Sequence, residues 1–295
     1  SAEQFLKLES DGKLTDTFTR QLAMSGMRMK DRYKVLSEDE KAKQDAEWAM
    51  DVEWFEQLKF RSLEDRGIHG LIAKMYDVRV GHDDDGKINR HYYPVHQQET
   101  LDVLGAKART LPKEFSFGHL GRRFGDDLAL FGMHTTEQVT ASGTWKKGKM
   151  GKLLVVGGEC DAMAAQQMLV KSLNKIDKLQ GLKTLDGLKL AHVWSPTKGE
   201  TCLDEIVANR KYLEQFEEIV WAFDNDDVGN RLNLACSRLF RQRSKFFIYP
   251  SGCKDANQCL KEGRDADFIA AWWEPSEARI KGKLKAASSY SDAAK

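Results

Sequence analysis

Leu153-Leu154-Val155-Val156-Gly157-Gly158-Glu159-Cys160-Asp161-Ala162 and, further along, Ile219-Val220-Trp221-Ala222-Phe223-Asp224-Asn225-Asp226-Asp227-Val228-Gly229 decide how this chain reads. In each stretch an apolar run of strand character runs into glycine and carboxylates, and a helix-like segment follows. That layout predicts a parallel sheet with acidic groups at the carboxyl ends of its strands, where open α/β folds bind ligands. Clustered carboxylates there suit a hard divalent cation such as Mg²⁺, which takes oxygen ligands and leaves room for phosphates.

Working outward, residues 151–275 alternate strand and helix patterns. Strands are predicted at Lys152–Val156, Leu190–Trp194, Glu218–Phe223 and Lys245–Tyr249, and helices at Asp161–Ser172 and Asp227–Arg241. A closing helix is predicted to end at Trp272-Trp273. Such alternation implies a mostly parallel sheet flanked by helices. Residues 61–150 read as a smaller α+β region, with strands at Met75–Val80 and Arg90–His96 joined by the turn Asp83-Asp84-Asp85-Gly86. Residues 1–60 read as a helical arm: Ser37-Glu38-Asp39-Glu40 has capping-box spacing, and Trp48, Val52 and Phe55 form a helical stripe. Residues 276–295 read as a linker or disordered tail.

The 295 residues carry a net charge of +1, so nucleic-acid contact has to come from local patches. Two such patches precede the first acidic motif. Residues 107–123 hold Lys107, Arg109, Lys113, Arg122 and Arg123 with Phe115 and Phe117 interleaved, and residues 145–152 read WKKGKMGK. Basic groups neutralise phosphates and aromatic rings stack on unpaired bases. The five cysteines form no CxxC pair, which argues against structural zinc and for free thiols in a reducing compartment. No apolar run approaches the roughly 20 residues of a membrane span. With no apolar signal core at the start, the expected location is cytoplasmic.

Alternate strand residues point the same way, so Asp224 and Asp226 are expected to face one ion just past Phe223. Asp255 joins them if strands 219–223 and 245–249 are neighbours, and three converging carboxylates need a cation. Asp161 and Asp227 each precede a helical run and are expected to serve as N-caps.

Gly157-Gly158-Glu159-Cys160-Asp161-Ala162, Phe223-Asp224-Asn225-Asp226-Asp227-Val228-Gly229 and Pro250-Ser251-Gly252-Cys253-Lys254-Asp255-Ala256-Asn257-Gln258-Cys259 together resemble the Toprim domain of bacteriophage bifunctional primase–helicases, relatives of the mitochondrial Twinkle helicase. Lys107-Ala108-Arg109-Thr110-Leu111-Pro112-Lys113-Glu114-Phe115 resembles the basic segment of that family's preceding subdomain, and the resemblance covers about residues 62–275. It implies a primase core that makes short oligoribonucleotides on single-stranded DNA, in the host cytoplasm if phage-encoded. By position, Asp224, Asp226 and Asp255 would hold Mg²⁺ or Mn²⁺, with Glu159, Asp224 and Asp226 catalytic. Lys107, Arg109 and Lys113 would contact template or ribonucleoside triphosphates, with Lys198, Lys254 and Asn257 as further contacts. The implied partners are the single-stranded DNA template, the triphosphates and a replicative helicase, in the same longer chain or separate.

The family has a glutamate where this chain has Gly157, through natural divergence or an inactivating substitution, and Glu159 is the residue to replace it. Neither the family's zinc-binding module nor the helicase phosphate loop GxxxxGK[ST] has a counterpart here, which reads as a fragment of a longer chain or a stand-alone core. Three readings compete with a primase: a Toprim nuclease, a catalytically dead single-stranded-DNA-binding scaffold, and a haloacid-dehalogenase-like phosphatase. The last is disfavoured because its first aspartate normally lies near the domain's start. A type IA topoisomerase needs a further large domain that this length does not supply.

Overall fold

The computed structural model describes residues 37–39, 52–111, 114–116, 128–144, 150–198 and 202–276. The chain divides into two compact units, Ser1–Met50 and Asp51–Lys295. Of the first, a helix begins at Glu38 directly after Ser37, as the capping-box spacing predicts. Everything below concerns the second.

Two four-stranded sheets organise it. The first is antiparallel in the order β1 (Arg79–His82), β2 (Ile88–His96), β3 (Val103–Thr110), β4 (Glu114–Ser116). The β1–β2 hairpin closes at the expected acidic turn, where Asp83 Oδ1 accepts from the amides of Asp85 and Lys87. Expected strand Met75–Val80 is a correction. Helix α1 (Gly70–Met75) occupies its first position, capped by the His69 side chain, and only from Arg79 is the chain a strand. Ile72, Ala73 and Met75 bury at helical spacing, and Asp77 in the left-handed conformation ends the turn.

The second sheet is parallel, in the order β6-β5-β7-β8, with β5 at Met150–Val156, β6 at His192–Trp194, β7 at Phe216–Ala222 and β8 at Ser244–Phe246. All four expected strands have counterparts, with β6 cut to His192–Trp194 and β8 set one residue early at Ser244–Phe246, so that residues 247–249 lie past the strand end. Strands β7 and β8 pair as required for the acidic loops to meet, with Val220 opposite Lys245.

Alternation along β5 divides the core. Leu153 and Val155 face Trp194, Ile219, Trp221 and Phe216 on one side. Leu154 and Val156 face Val193, Val220, Met163, Ala164 and Met168 on the other. Helix α3 (Glu159–Asn174; α2 is Thr136–Ala141) is buried nearly all round from Ala162 to Val170, so it lies between layers and not on a surface. Helices α4 (Leu203–Ala208), α5 (Arg210–Leu213), α6 (Asp227–Leu239), α7 (Ala256–Lys261) and α8 (Asp265–Trp273) complete the parallel half. Trp272 is fully buried beneath the Lys152 ammonium, which also pairs with Glu218 at 3.0 Å and so fastens α8 to the sheet. At Gly132, φ is +95° and an added Cβ would lie 2.5 Å from the Val193 carbonyl oxygen, so only glycine lets residues 128–132 cross the edge of β6.

His96, His134 and His192 make the fold acid-sensitive. Burial lowers His96 and His192 to about 4 and His134 to about 3, and His96 stacks on His134 with ring centres 4.2 Å apart. Each binds its proton less readily in the fold than in the open chain, where the value is 6.5. Stability is therefore full above about pH 6.5 and falls as pH drops towards 4, by about 1.4 kcal/mol per pH unit for each histidine. Urea unfolding should show a lower midpoint at pH 5 than at pH 7, with a shallower dependence in His134→Phe. An unchanged midpoint across that interval would contradict the buried-neutral assignment.

Candidate active site

The carboxyl ends of β5, β7 and β8 open into three loops that are laced to each other. After β7, the Asn225 amide donates to the Lys254 carbonyl at 2.7 Å, and its side chain donates to the Cys253 carbonyl. The Tyr249 hydroxyl donates to the Ala222 carbonyl at 2.8 Å from beneath. Asn233 of α6 accepts from the Phe223 amide, fixing the helix against the strand end. These backbone ties bring Asp224 and Asp226 up to the 250–256 loop.

Asp226, not Asp227, is the N-cap of α6: its Oδ1 accepts from the amides of Val228 and Gly229 at 3.1 and 3.0 Å. Asp227 is the first helical residue, so the expected cap moves by one position. The Gly229 amide, foremost, holds the Asp226 carboxyl below its ordinary value. Its other oxygen, Oδ2, is 3.3 Å from the Lys254 ammonium, and Asp224 Oδ2 is 3.2 Å from the same nitrogen. The two aspartates share one partner, the Lys254 ammonium. Partial burial pushes Asp224 up, against the pull of Lys254.

Asp161 is not the cap of α3; Gly158 holds that position. Asp161 instead accepts from the Asn257 amide at 2.9 Å and points at the other acids. Burial and the carboxylates of Asp255 and Asp224 raise it well above the usual carboxylate range. Asp255 caps α7, accepting from the Gln258 amide at 2.7 Å. Asp161, Asp224 and Asp255 therefore converge, and Asp161 is the member that the capping argument set aside. The signal was present in the sequence: Asp161 lies in the first turn of the helix, three residues past the Gly157-Gly158 strand end, close to where β5 delivers the chain.

Glu159 lies elsewhere. It is 6% exposed, and its Oε1 accepts from Lys107 Nζ at 2.8 Å. Lys107 also donates to the Thr197 carbonyl. On β3, Lys107 and Arg109 stand opposite Tyr93 and His91 of β2. All four side chains share one face, and that face lies over the start of α3: the Tyr93 hydroxyl is 3.2 Å from Cys160 Sγ, and Arg109 reaches the same sulfur at 3.8 Å. Burial pushes the Cys160 thiol up to about 12, which removes it as a nucleophile near neutral pH.

Lys198 lies in the loop after β6, 3.8 Å from Asp204, and that loop is shaped by buried Glu205, which accepts from the amides of Thr197 and Lys198. Asn257 has both ends of its side chain engaged with Arg66, through the Arg66 carbonyl at 2.8 Å and its guanidinium at 3.3 Å. It is a tie between α7, Asp161 and the 64–66 turn. Lys113, Phe117, Arg122, Arg123 and residues 145–149 lie outside the described residues. Sequence reasoning missed Arg66, His91, Tyr249 and Glu205, because each joins the site only through tertiary contact.

The donor set fits a hard divalent ion. The converging groups are carboxylates, Asp161 is destabilised by its acidic neighbours, and a cation already bridges Asp224 and Asp226. Among the described residues, no three such groups stand preassembled around one ion position. Lys254 holds the Asp224 and Asp226 oxygens that an ion would take, while the caps engage the Oδ1 oxygens of Asp226 and Asp255. Gly157 forms part of this geometry: an added Cβ would lie 2.5 Å from Asp224 Oδ1, so the Asp224 carboxylate fills the notch left by the missing side chain.

No family model matches the chain. It is 29% identical over 219 residues to the DNA helicase/primase of Enterobacteria phage T3, a match covering 70% of this chain and 33% of that protein. The chain thus spans about a third of the length of that relative. Its fold is shared with the primase fragment of the bacteriophage T7 primase–helicase (TM-score 0.52, 22% identity, 74% of this chain and 77% of that one). It is also shared with the zinc-binding and RNA polymerase domains of Aquifex aeolicus primase (TM-score 0.53, 13% identity, 85% of this chain and 66% of that one). The resemblance drawn from the motifs is matched by these findings: the chain is similar in sequence to a phage helicase/primase and shares its fold with the primase fragment of another. The α/β architecture expected for it is the one observed.

Gly229 gives the sharpest structural test of the site. A Cβ there would lie 2.1 Å from the Asp224 carbonyl oxygen and 2.7 Å from its amide nitrogen, both backbone atoms that cannot rotate aside. Gly229→Ala should therefore lower stability by about 1–3 kcal/mol, read as a drop in urea midpoint. Stability equal to the parent chain would show that α6 does not pack against the Asp224 backbone this closely.

Proposed function

We propose that this chain is a DNA primase core that makes short oligoribonucleotides on a single-stranded DNA template. The observation that carries this reading is the convergence of Asp161, Asp224, Asp226 and Asp255 at the carboxyl end of a parallel sheet, with a basic strand face over the start of α3. The likeness to the phage T3 helicase/primase supports it.

In this reading Asp224, Asp226 and Asp255 hold Mg²⁺ or Mn²⁺, which when bound would neutralise charge on the triphosphate and make the attacking hydroxyl more acidic. Asp161 orients that set through the Asn257 amide. Lys107 and Arg109, with Lys113 and Lys198, neutralise template or triphosphate charge. Glu159 positions Lys107 and does not face the aspartates, so it does not replace the acid missing at Gly157. The partners are single-stranded DNA, ribonucleoside triphosphates and a replicative helicase.

The test is labelled ribonucleotide incorporation on mixed-sequence single-stranded DNA with Mg²⁺ or Mn²⁺. The chain as it stands should give a low yield of oligoribonucleotides, and Gly157→Glu, whose Cβ must turn the Asp224 carboxylate out of the notch towards the ion, should raise it by about 100-fold, the usual worth of an acid–base group. Asp224→Asn should abolish it. Shortening of the DNA in place of RNA synthesis would make the protein a nuclease. The Gly157 notch favours a second reading, a scaffold that binds single-stranded DNA without catalysis. DNA binding without product from either version at normal folding would establish it.

A further inference from the structure

Between Asp224 and Asp226 lies a side chain that neither the fold nor the reaction explains. Lys254 Nζ is 3.2 Å from Asp224 Oδ2 and 3.3 Å from Asp226 Oδ2. Asp226 Oδ1 is committed to two amides of α6, so Oδ2 is the oxygen left for an ion, and that is the atom the lysine uses. A divalent ion on this oxygen and an ammonium beside it would repel strongly at so short a distance.

The lysine is built to leave. Its backbone is pinned, with the amide donating to Gln258 Oε1 at 2.9 Å and the carbonyl accepting from Asn225. Its side chain is 53% exposed, so packing does little to retain it. Ion pairs this exposed contribute little each, so they balance the carboxylates without trapping them.

We infer that the Lys254 ammonium is the resting counter-ion of the Asp224–Asp226 pair and that it gives up this position when a divalent cation binds. It would keep two adjacent carboxylates correctly spaced before the ion arrives, and it sets the affinity that the ion must exceed. This rests on the metal assignment of the preceding section and adds to it a competitor supplied by the chain itself.

The experiment is Mn²⁺ titration of the full chain, with free Mn²⁺ read by electron paramagnetic resonance. The parent chain is compared with Lys254→Met, Lys254→Arg and Asp224→Asn. Asp224→Asn should lose the site, locating the ion. Lys254→Met should bind Mn²⁺ about 2- to 10-fold more tightly than the parent, the range expected when two exposed ion pairs no longer compete. Lys254→Arg, which keeps the charge, should stay near the parent value. Unchanged or weaker binding in Lys254→Met, or equal tightening in Lys254→Arg, would overturn the inference and leave the metal assignment standing. No Mn²⁺ site in the parent or in Lys254→Met would overturn both.

Discussion

Repulsion among carboxylates held at one end of a parallel sheet is the constraint on which the rest depends. Strands β5 and β7 end in buried apolar runs, Leu153–Val156 and Ile219–Ala222, and β8 pairs alongside β7, so the carboxylates of the loops that follow emerge together at the sheet edge. Four acids delivered to one place would spread apart without compensation. The structure compensates with backbone amides: Val228 and Gly229 for Asp226, Gln258 for Asp255, Asn257 for Asp161. It adds one ammonium, Lys254, at the opening. Capping a helix and presenting a ligand oxygen are then two ends of one carboxylate, not competing roles.

The same constraint explains the backbone around the acids. Gly229 lets α6 touch the Asp224 peptide, which aims the aspartate's side chain back towards β5. Gly157, at the end of β5, leaves the space that Asp224 then enters. The basic strand β3 approaches from the other sheet and is held by Lys107, which bridges Glu159 and the loop after β6. Acids and bases are thereby kept on separate supports, with Glu159 spent on the join between them.

Much of this was legible because it is local. The apolar runs, the DDDG hairpin turn and the alternation of strand and helix are properties of short windows, and each appears where the pattern placed it. Even the meeting of Asp255 with Asp224 followed from a single assumption about strand order. What failed was also local in origin. Asp227 and Asp161 were both read as caps, and composition alone cannot say whether a helix starts one residue earlier, as at Asp227, or three, as at Asp161. Met75 looked like strand because its β-branched and aromatic neighbours do, while the cap that makes it helical is a histidine, an uncommon capping residue. Asn257 and Arg66, 191 positions apart, could be linked only by the folded chain.

The most direct test of the central claim is a crystal structure of the chain grown or soaked with Mn²⁺, with anomalous scattering used to locate the ion. The account predicts a peak bonded to the carboxylates of Asp224 and Asp226, with Asp255 or Asp161 completing the acidic side and the Lys254 side chain displaced from between the aspartates. A peak elsewhere in the molecule, or none with Lys254 still bridging the pair, would contradict it.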